Sequence, residues 1–273
     1  MTPKSVCVLL VLALLIGGCL LVAGCTQSGS TGTAASTASG QQNSPAVTKT
    51  YIIGVDGAYP PYTYIDKDGT FHGIDIDSAR WIAKDKGFTV EFQAIEWDGI
   101  IPALQAGKID MVYSGMTITP ERLDKVNFST PYLTINQTIA IRNDSTLTID
   151  DILAGKGIVG AQRGTTGAIW AEKNLVDTGK MSADHLKQYD NFPLVITDLM
   201  NKNIDASIYD RPSHLTAIEG KPIHIVYDID TGEQYGIAIR KDSPALLQTM
   251  NEGLADLHAD PYWKQLLATY NLN

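Results

Sequence analysis

Beyond residue 50 the chain alternates between two apolar rhythms, one of period two and one of helical spacing. Residues 51–55 (Tyr-Ile-Ile-Gly-Val) are a short apolar run closed by turn residues, which predicts a strand feeding the loop Asp56-Gly-Ala-Tyr-Pro-Pro-Tyr62. A tight turn is predicted at Lys67-Asp-Gly-Thr70. After Asp75, the residues Ile76, Ala79, Ile82 and Ala83 recur at helical spacing up to Gly87, and 88–94 then alternates as a strand. Asp98 is placed to cap a helix that carries Ile100, Ile101 and Leu104 and stops at Gly107, and 109–114 reads as the next strand.

A longer β-like stretch at 134–142 precedes a second round of the same alternation: a helix at 148–153, a strand at 157–161, and a helix entered through Gly164-Thr-Thr166. Phe192, Val195, Ile196 and Leu199 form another amphipathic face, and 204–209, 223–227 and 235–240 read as strands. The last helices carry Leu247, Met250, Leu254 and Leu257, then Trp263, Leu266 and Leu267. Strands alternating with helices predict an α/β class with parallel sheets, and the restart near residue 142 predicts a second lobe.

The first fifty residues follow neither rhythm. Lys4 precedes an apolar run from Val6 to Ile16, and small residues then lead to Cys25, the layout of an export signal. Val22-Ala-Gly-Cys25 has the form of a lipobox, so residues 1–25 are expected to be a lipoprotein signal peptide with Cys25 as the lipidated residue; Cys19 is a second candidate. The alternative is an uncleaved anchor, because 6–23 approaches the roughly 20 apolar residues that span a bilayer. Residues 26–50 are nearly all Ser, Thr, Gly, Ala, Gln and Asn, which bury too little apolar area to order a chain, and predict a flexible tether. Either reading puts the remaining chain outside the cytoplasm, on the outer face of the cell membrane.

Composition narrows the chemistry. All three cysteines, Cys7, Cys19 and Cys25, lie in the leader, so the exported part has no thiol for a disulfide, a metal or nucleophilic catalysis. A net charge of −9 argues against a nucleic-acid partner. The five histidines show no metal-ligand spacing, and no cofactor is expected.

Ser114-Gly-Met-Thr-Ile-Thr-Pro-Glu-Arg122 carries the sharpest signal. Thr119 is placed as an N-cap and Pro120 as a first helical residue, so Arg122 falls in a first turn, where the macrodipole disfavours a cation by roughly 0.3–1 kcal/mol unless an anion is nearby. A guanidinium offers two parallel donors to a carboxylate, and the Ser114 and Thr117 hydroxyls with neighbouring backbone N–H groups complete a shell for one. The plainer reading is a surface arginine on a short helix. Ligands in such sheets gather at the carboxyl ends of strands, where Asp56, Tyr59, Trp97, Thr117, Arg122, Thr165, Thr166 and Asp210 all fall.

Seven ordered segments carry a family resemblance: Asp56-Gly-Ala-Tyr-Pro-Pro-Tyr62, Gly73-Ile-Asp-Ile-Asp77, Trp97-Asp-Gly-Ile-Ile-Pro-Ala-Leu104, the stretch from Ile109 to Arg122, Phe128-Ser-Thr-Pro-Tyr132, Gly160-Ala-Gln-Arg-Gly-Thr-Thr166 and Ile204-Asp-Ala-Ser-Ile-Tyr-Asp210. With these the chain resembles the extracellular solute-binding proteins of family 3, which deliver polar amino acids to ABC importers. The resemblance implies a two-lobed periplasmic-binding-protein type II fold with two crossover hinge strands. Lobe 1 is then expected over 51–138 and 234–273, and lobe 2 over 139–233.

It also implies that Arg122 receives a ligand carboxylate with Thr117, the Gly115 to Thr117 backbone and Thr166, while Asp210 accepts the ammonium. Tyr59 and Trp97 match positions that sandwich the ligand side chain, and Asp56 a position that meets a distal donor. Such a site favours Arg, Lys, ornithine, His or Gln over an acidic amino acid. The candidate ligand-binding residues are therefore Asp56, Tyr59, Trp97, Ser114, Gly115, Thr117, Arg122, Thr165, Thr166 and Asp210. Gly115 and Gly167 leave pocket size and polarity open. The expected partners are an amino acid, an ABC permease with its ATPase, and the membrane through the lipid anchor, with the protein a monomer and not an enzyme. The alternative is an enzyme on the same fold resembling cyclohexadienyl or arogenate dehydratases, for which Glu96, Glu172 and Glu233 are the acids to place.

Overall fold

The computed structural model describes residues 48–272. The expected signal peptide over 1–25, the lipidation candidates Cys25 and Cys19, and all but the last residues of the expected tether over 26–50 lie outside the described residues. Among the described residues no helix is long and apolar enough to cross a membrane.

Two five-stranded sheets organise the chain. In the first the order is Thr89–Ala94, Thr50–Val55, Met111–Val112, Ala238–Ile239 and Asn127–Phe128; in the second it is Leu186–Tyr189, Val159–Gln162, Ala206–Asp210, Leu133–Arg142 and Ile223–Tyr235. The expectation of parallel sheets holds only in part. Thr50–Val55 pairs in parallel with both of its neighbours, and Val159–Gln162 does the same. Ala238–Ile239 runs antiparallel to its neighbours, and so does Leu133–Arg142. The cause is the long pair Leu133–Arg142 and Ile223–Tyr235, which leaves one sheet and returns to it in opposite directions, paired from Arg142↔Ile223 to Leu133↔Tyr235 with register shifts between Ile225 and Tyr227 and between Ile229 and Glu233. The two passages continue side by side into the first sheet, with Tyr132 N–H donating to Tyr235 O (3.0 Å) and Ser129 N–H to Ile237 O (2.9 Å).

Helices cover the faces, and their sequences say why. Ile74–Lys86 buries Ile74, Ile76, Ala79, Ile82 and Ala83 on one side. Asp75 and Asp77 in its first turn and Lys84 and Lys86 in its last complement the macrodipole, and Gly87 ends it in a left-handed conformation. Its apolar face packs with Met250, Leu254 and Leu257 of Pro244–Ala259. Truncating such a core residue to alanine costs roughly 2–5 kcal/mol. Trp97, Ile100 and Leu104 cover the opposite face of the first sheet with Val112 and Met116. In the second sheet Ile139, Val159, Ala206 and Ile208 pack with Ile152, Ala168, Ala171 and Leu175.

Three local expectations shift. The helix expected to be capped by Asp98 begins at Trp97, with Glu96 in the capping position and no side-chain cap. The strand expected over 109–114 contracts to Met111–Val112, because the chain turns at Gly115 (φ +56°) toward Thr117. The strand expected over 235–240 splits, Tyr235 closing the long strand and Ala238–Ile239 joining the first sheet.

Candidate functional site

Strands of both sheets end around one cavity. Asp56 follows Thr50–Val55, the segment reaching Thr117 follows Met111–Val112, and Gln162 and Asp210 are the last residues of their strands in the second sheet. The cavity encloses about 270 Å³ including its open mouth, and is lined by Asp56, Tyr59, Trp97, Gly115, Thr117, Arg122, Gln162, Thr165, Thr166, Tyr209 and Asp210. Of the candidates read from sequence, Ser114 alone does not line it. Ser114 is fully buried behind the wall, where its Oγ accepts the Asp56 N–H (3.0 Å) and lies 2.7 Å from the Thr63 hydroxyl. It positions the Asp56 backbone.

Arg122 sits in the short helix Pro120–Leu123, whose cap is the expected one, Thr119 Oγ1 accepting the Arg122 N–H at 3.2 Å. Its guanidinium is buried and donates to the carbonyls of Thr117 (2.8 Å) and Gly164 (3.1 Å), one on each side of the cleft. The Trp97 ring lies against it at 5.5 Å, and the Trp97 indole N–H donates to the same Gly164 carbonyl at 3.2 Å. Burial lowers the Arg122 pKa, while the charges of Glu233 and Asp210 oppose that shift. A cation stripped of water and held by neutral carbonyls has unspent capacity for an anion.

Asp210 is the complementary charge. Tyr59 Oη donates to its Oδ2 at 2.6 Å, with Tyr235 Oη 2.6 Å from Tyr59, and the Gln137 amide donates to its Oδ1. Burial pushes the Asp210 carboxyl up to about 7, and the nearby Glu233 charge adds to the rise; the bonds from Tyr59 and Gln137 and the Arg122 charge pull against it. Although Asp210 directly precedes the helix Arg211–Ile218, its side chain makes no cap bond to it. Tyr62, next to the cavity but not on its wall, stacks on Tyr59 at 4.9 Å and meets Tyr235 edge-on at 5.2 Å.

The small residues are explained by close packing. At Gly115 a Cβ would lie 2.5 Å from the Tyr59 ring, and φ is +56°, so no side chain fits. At Gly167 a Cβ would lie 2.8 Å from Gln137 Oε1. Neither glycine widens the cavity; each lets a polar residue of the site approach the backbone. Beneath Gly115 lies Asp75, fully buried, whose Oδ2 accepts the Gly115 N–H (2.7 Å) and the Tyr132 hydroxyl (2.8 Å). Burial pushes its carboxyl up to about 7 against those two bonds.

At the other end Asp56 is buried, accepting the Ala58 N–H (2.8 Å) and, across the cleft, the Gln162 amide (2.7 Å). Burial raises its pKa and these bonds oppose the rise. Gln162 Oε1 in turn accepts the Tyr209 hydroxyl at 2.9 Å, and Tyr209 stacks on Phe192 at 3.6 Å. Thr165 caps the helix Thr166–Ala171 through Ala168 N–H (3.3 Å) and donates to Gln162 O (2.7 Å), so its hydroxyl is committed to the fold. Thr166 instead donates to Glu233 Oε2 at 2.6 Å, and Thr117 donates to the same oxygen at 2.8 Å.

Sequence reasoning missed Gln137, Gln162 and the placement of Glu233. Gln162 had a signal, the end of a strand directly before Gly164-Thr-Thr166. Glu233 and Gln137 had none, because the pairing of two strands far apart in sequence brings them to the cleft.

Two α/β sheets joined by paired passages, with a buried cation and a buried carboxyl on one cavity, define a two-lobed binding fold. The chain belongs to the bacterial extracellular solute-binding proteins, family 3, whose model matches residues 51–273. It is similar to the ABC transporter arginine-binding protein 1 of Escherichia coli, with 32% identity over 78% of this chain and 87% of that one. An ancestral arginine-binding protein bound to arginine superposes with a TM-score of 0.75 at 35% identity, covering 81% of this chain and 97% of its own. An ancestral amino-acid-binding protein described as a precursor of cyclohexadienyl dehydratase gives 0.72 at 36%, covering 81% and 94%.

Proposed function

We propose that the chain is the substrate-binding lipoprotein of an amino-acid ABC importer, which captures a polar or cationic L-amino acid between its lobes and presents it to the permease. The observation that carries this is the pairing on one cavity of buried Arg122, from the short helix Pro120–Leu123, with buried Asp210, from the end of a strand in the second sheet. A zwitterion moved out of water loses several kcal/mol of solvation per ion unless each pole meets an opposite charge. Arg122 with Thr117 and Thr166 suits the α-carboxylate, and Asp210, whose lowering in pKa by an adjacent ammonium favours the bound pair, suits the amine.

The remaining wall sets the side chain. Asp56 with Tyr59, Trp97 and Tyr209 favours a flat or cationic group, and the arginine named for two relatives is of that class. The expected lobe bounds, 51–138 with 234–273 and 139–233, give each lobe one pole of the ligand, so binding favours closure. Lipidation at Cys25 with a tether over 26–50 keeps the receptor at the outer face of the membrane, beside the permease. No catalysis and no cofactor are part of this reading.

The dehydratase reading draws on the likeness to the precursor protein. It needs an acid poised to give up a proton in the cleft. Glu96 and Glu172 are exposed and Glu233 Oε2 accepts from two hydroxyls, so the acid that reading would use is Asp210, which the binding reading already assigns to the ligand ammonium. Calorimetric titration of the protein with the standard amino acids tests the choice. Saturable heat with arginine, lysine, ornithine, histidine or glutamine is expected; silence with every amino acid, or product from prephenate or arogenate, overturns it.

A further inference from the structure

We propose that Glu233 is a tethered carboxylate that competes with the amino acid's own carboxylate for the cleft hydroxyls, and latches the two lobes together when no amino acid is bound. The proposal rests on the reading of Arg122, Thr117 and Thr166 as the carboxylate subsite. Glu233 stands on the returning strand Ile223–Tyr235, just past the register shift between Ile229 and Glu233 that aims its side chain at the cleft. Its Oε2 gathers Thr117 Oγ1 (2.8 Å) from the first sheet's side, Thr166 Oγ1 (2.6 Å) from the second, and the Gln137 amide (3.4 Å) from the other passage. One carboxylate oxygen thus spans the cleft as a ligand carboxylate would.

Stoichiometry makes this a competition. Each threonine hydroxyl carries one proton, so a ligand carboxylate at Arg122 takes those two protons only when Glu233 releases them. Charge points the same way. Arg122 is the cation of a site that already holds Asp210 and Glu233, and a further carboxylate beside Glu233 meets like charge in a desolvated cavity. Because Glu233 is attached to the passage between lobes, its effective concentration at the hydroxyls is on the order of millimolar or more, high enough to compete with a solute. The latched form withholds the hydroxyls, and every fraction of molecules held in it weakens apparent affinity by that fraction.

The opposite role for Glu233 is to stay in place and share the ligand ammonium with Asp210. The sign of one experiment separates the two. The full chain and its Glu233→Ala and Glu233→Gln variants are titrated calorimetrically with L-arginine, L-histidine and L-glutamine, and their radii of gyration are measured by small-angle X-ray scattering without amino acid. Glu233→Ala is expected to bind about tenfold tighter and to scatter as a more open molecule. Glu233→Gln, which keeps an acceptor but not the charge, falls between it and the wild type. Equal or weaker affinity in both variants, or an unchanged radius for Glu233→Ala, overturns the proposal. If the wild type binds none of the three amino acids, it is the proposed function that fails for them; the scattering comparison still decides the latch, an equal radius sinking it.

Discussion

Arg122 and Asp56 mark the two ends of one cleft, and they are held by different means. Arg122 is fixed by backbone, donating to the Thr117 carbonyl on one side and the Gly164 carbonyl on the other. Asp56 is met across the cleft by a side chain, the Gln162 amide, which Tyr209 orients. A backbone carbonyl is present whatever residue bears it, so the Arg122 end suits what all α-amino acids share. A side-chain contact is exchangeable by substitution, so under the proposed function the Asp56 end is the one to set preference among amino acids.

The largest effect is expected at the backbone-held end. Arg122→Ala leaves a ligand carboxylate buried without its partner and costs about 3 kcal/mol or more, over a hundredfold in affinity by calorimetry. An unchanged affinity would remove the cation from the site. Next is Asp210→Asn, for which a loss of about 2 kcal/mol is expected. Asp210 also makes binding depend on pH. Its carboxyl sits near 7 in the free protein, chiefly through burial, and a bound ammonium favours the ionised form. Affinity is therefore full above about pH 7 and falls as pH drops through that value, with proton release on binding below it. Calorimetry in buffers of different ionisation enthalpy reads this directly, and the Asn variant is expected to lose the pH dependence.

A smaller, selective change is expected at the side-chain-held end. Asp56→Asn weakens arginine by about tenfold and glutamine by much less, since only the cationic side chain loses a charge partner. Equal losses for both would make Asp56 a structural residue.

The smallest effect concerns stability and the floor beneath both ends. Asp75 is fully buried under Gly115 with its carboxyl pushed up to about 7 by desolvation, against an unfolded value near 3.9. A folded-state pKa raised above the unfolded one contributes stability that is full at low pH and is lost as pH rises through 7. The protein is expected to lose about 1 kcal/mol from this group between pH 6 and pH 8, and Asp75→Asn to flatten that slope in thermal melts.

The alternation of apolar residues disclosed the helices well, because Ile76, Ala79, Ile82 and Ala83 face one core and local spacing reports it. The mixed direction of the sheets was hidden, since Leu133–Arg142 finds Ile223–Tyr235 across the whole second round of elements. The site divides along the same line. Arg122 was legible from Thr119-Pro120 and a misplaced cation, and the other wall residues from strand ends together with the family resemblance. Ser114 was assigned to the cavity as a hydroxyl completing the shell of an anion at Arg122, yet its Oγ is spent on the Asp56 N–H and the Thr63 hydroxyl behind the wall. Glu233 and Gln137 carry no local mark, because only long-range pairing brings their side chains to Thr166 and Asp210.

The most direct test takes the tightest-binding amino acid of the calorimetric panel with its α-amide, which lacks the negative pole, and its Nα-acetyl derivative, which lacks the positive one. If Arg122 and Asp210 grip opposite poles of one free amino acid, each derivative is expected to bind at least about a hundredfold more weakly than the parent. Either derivative binding as tightly as the parent would contradict that grip.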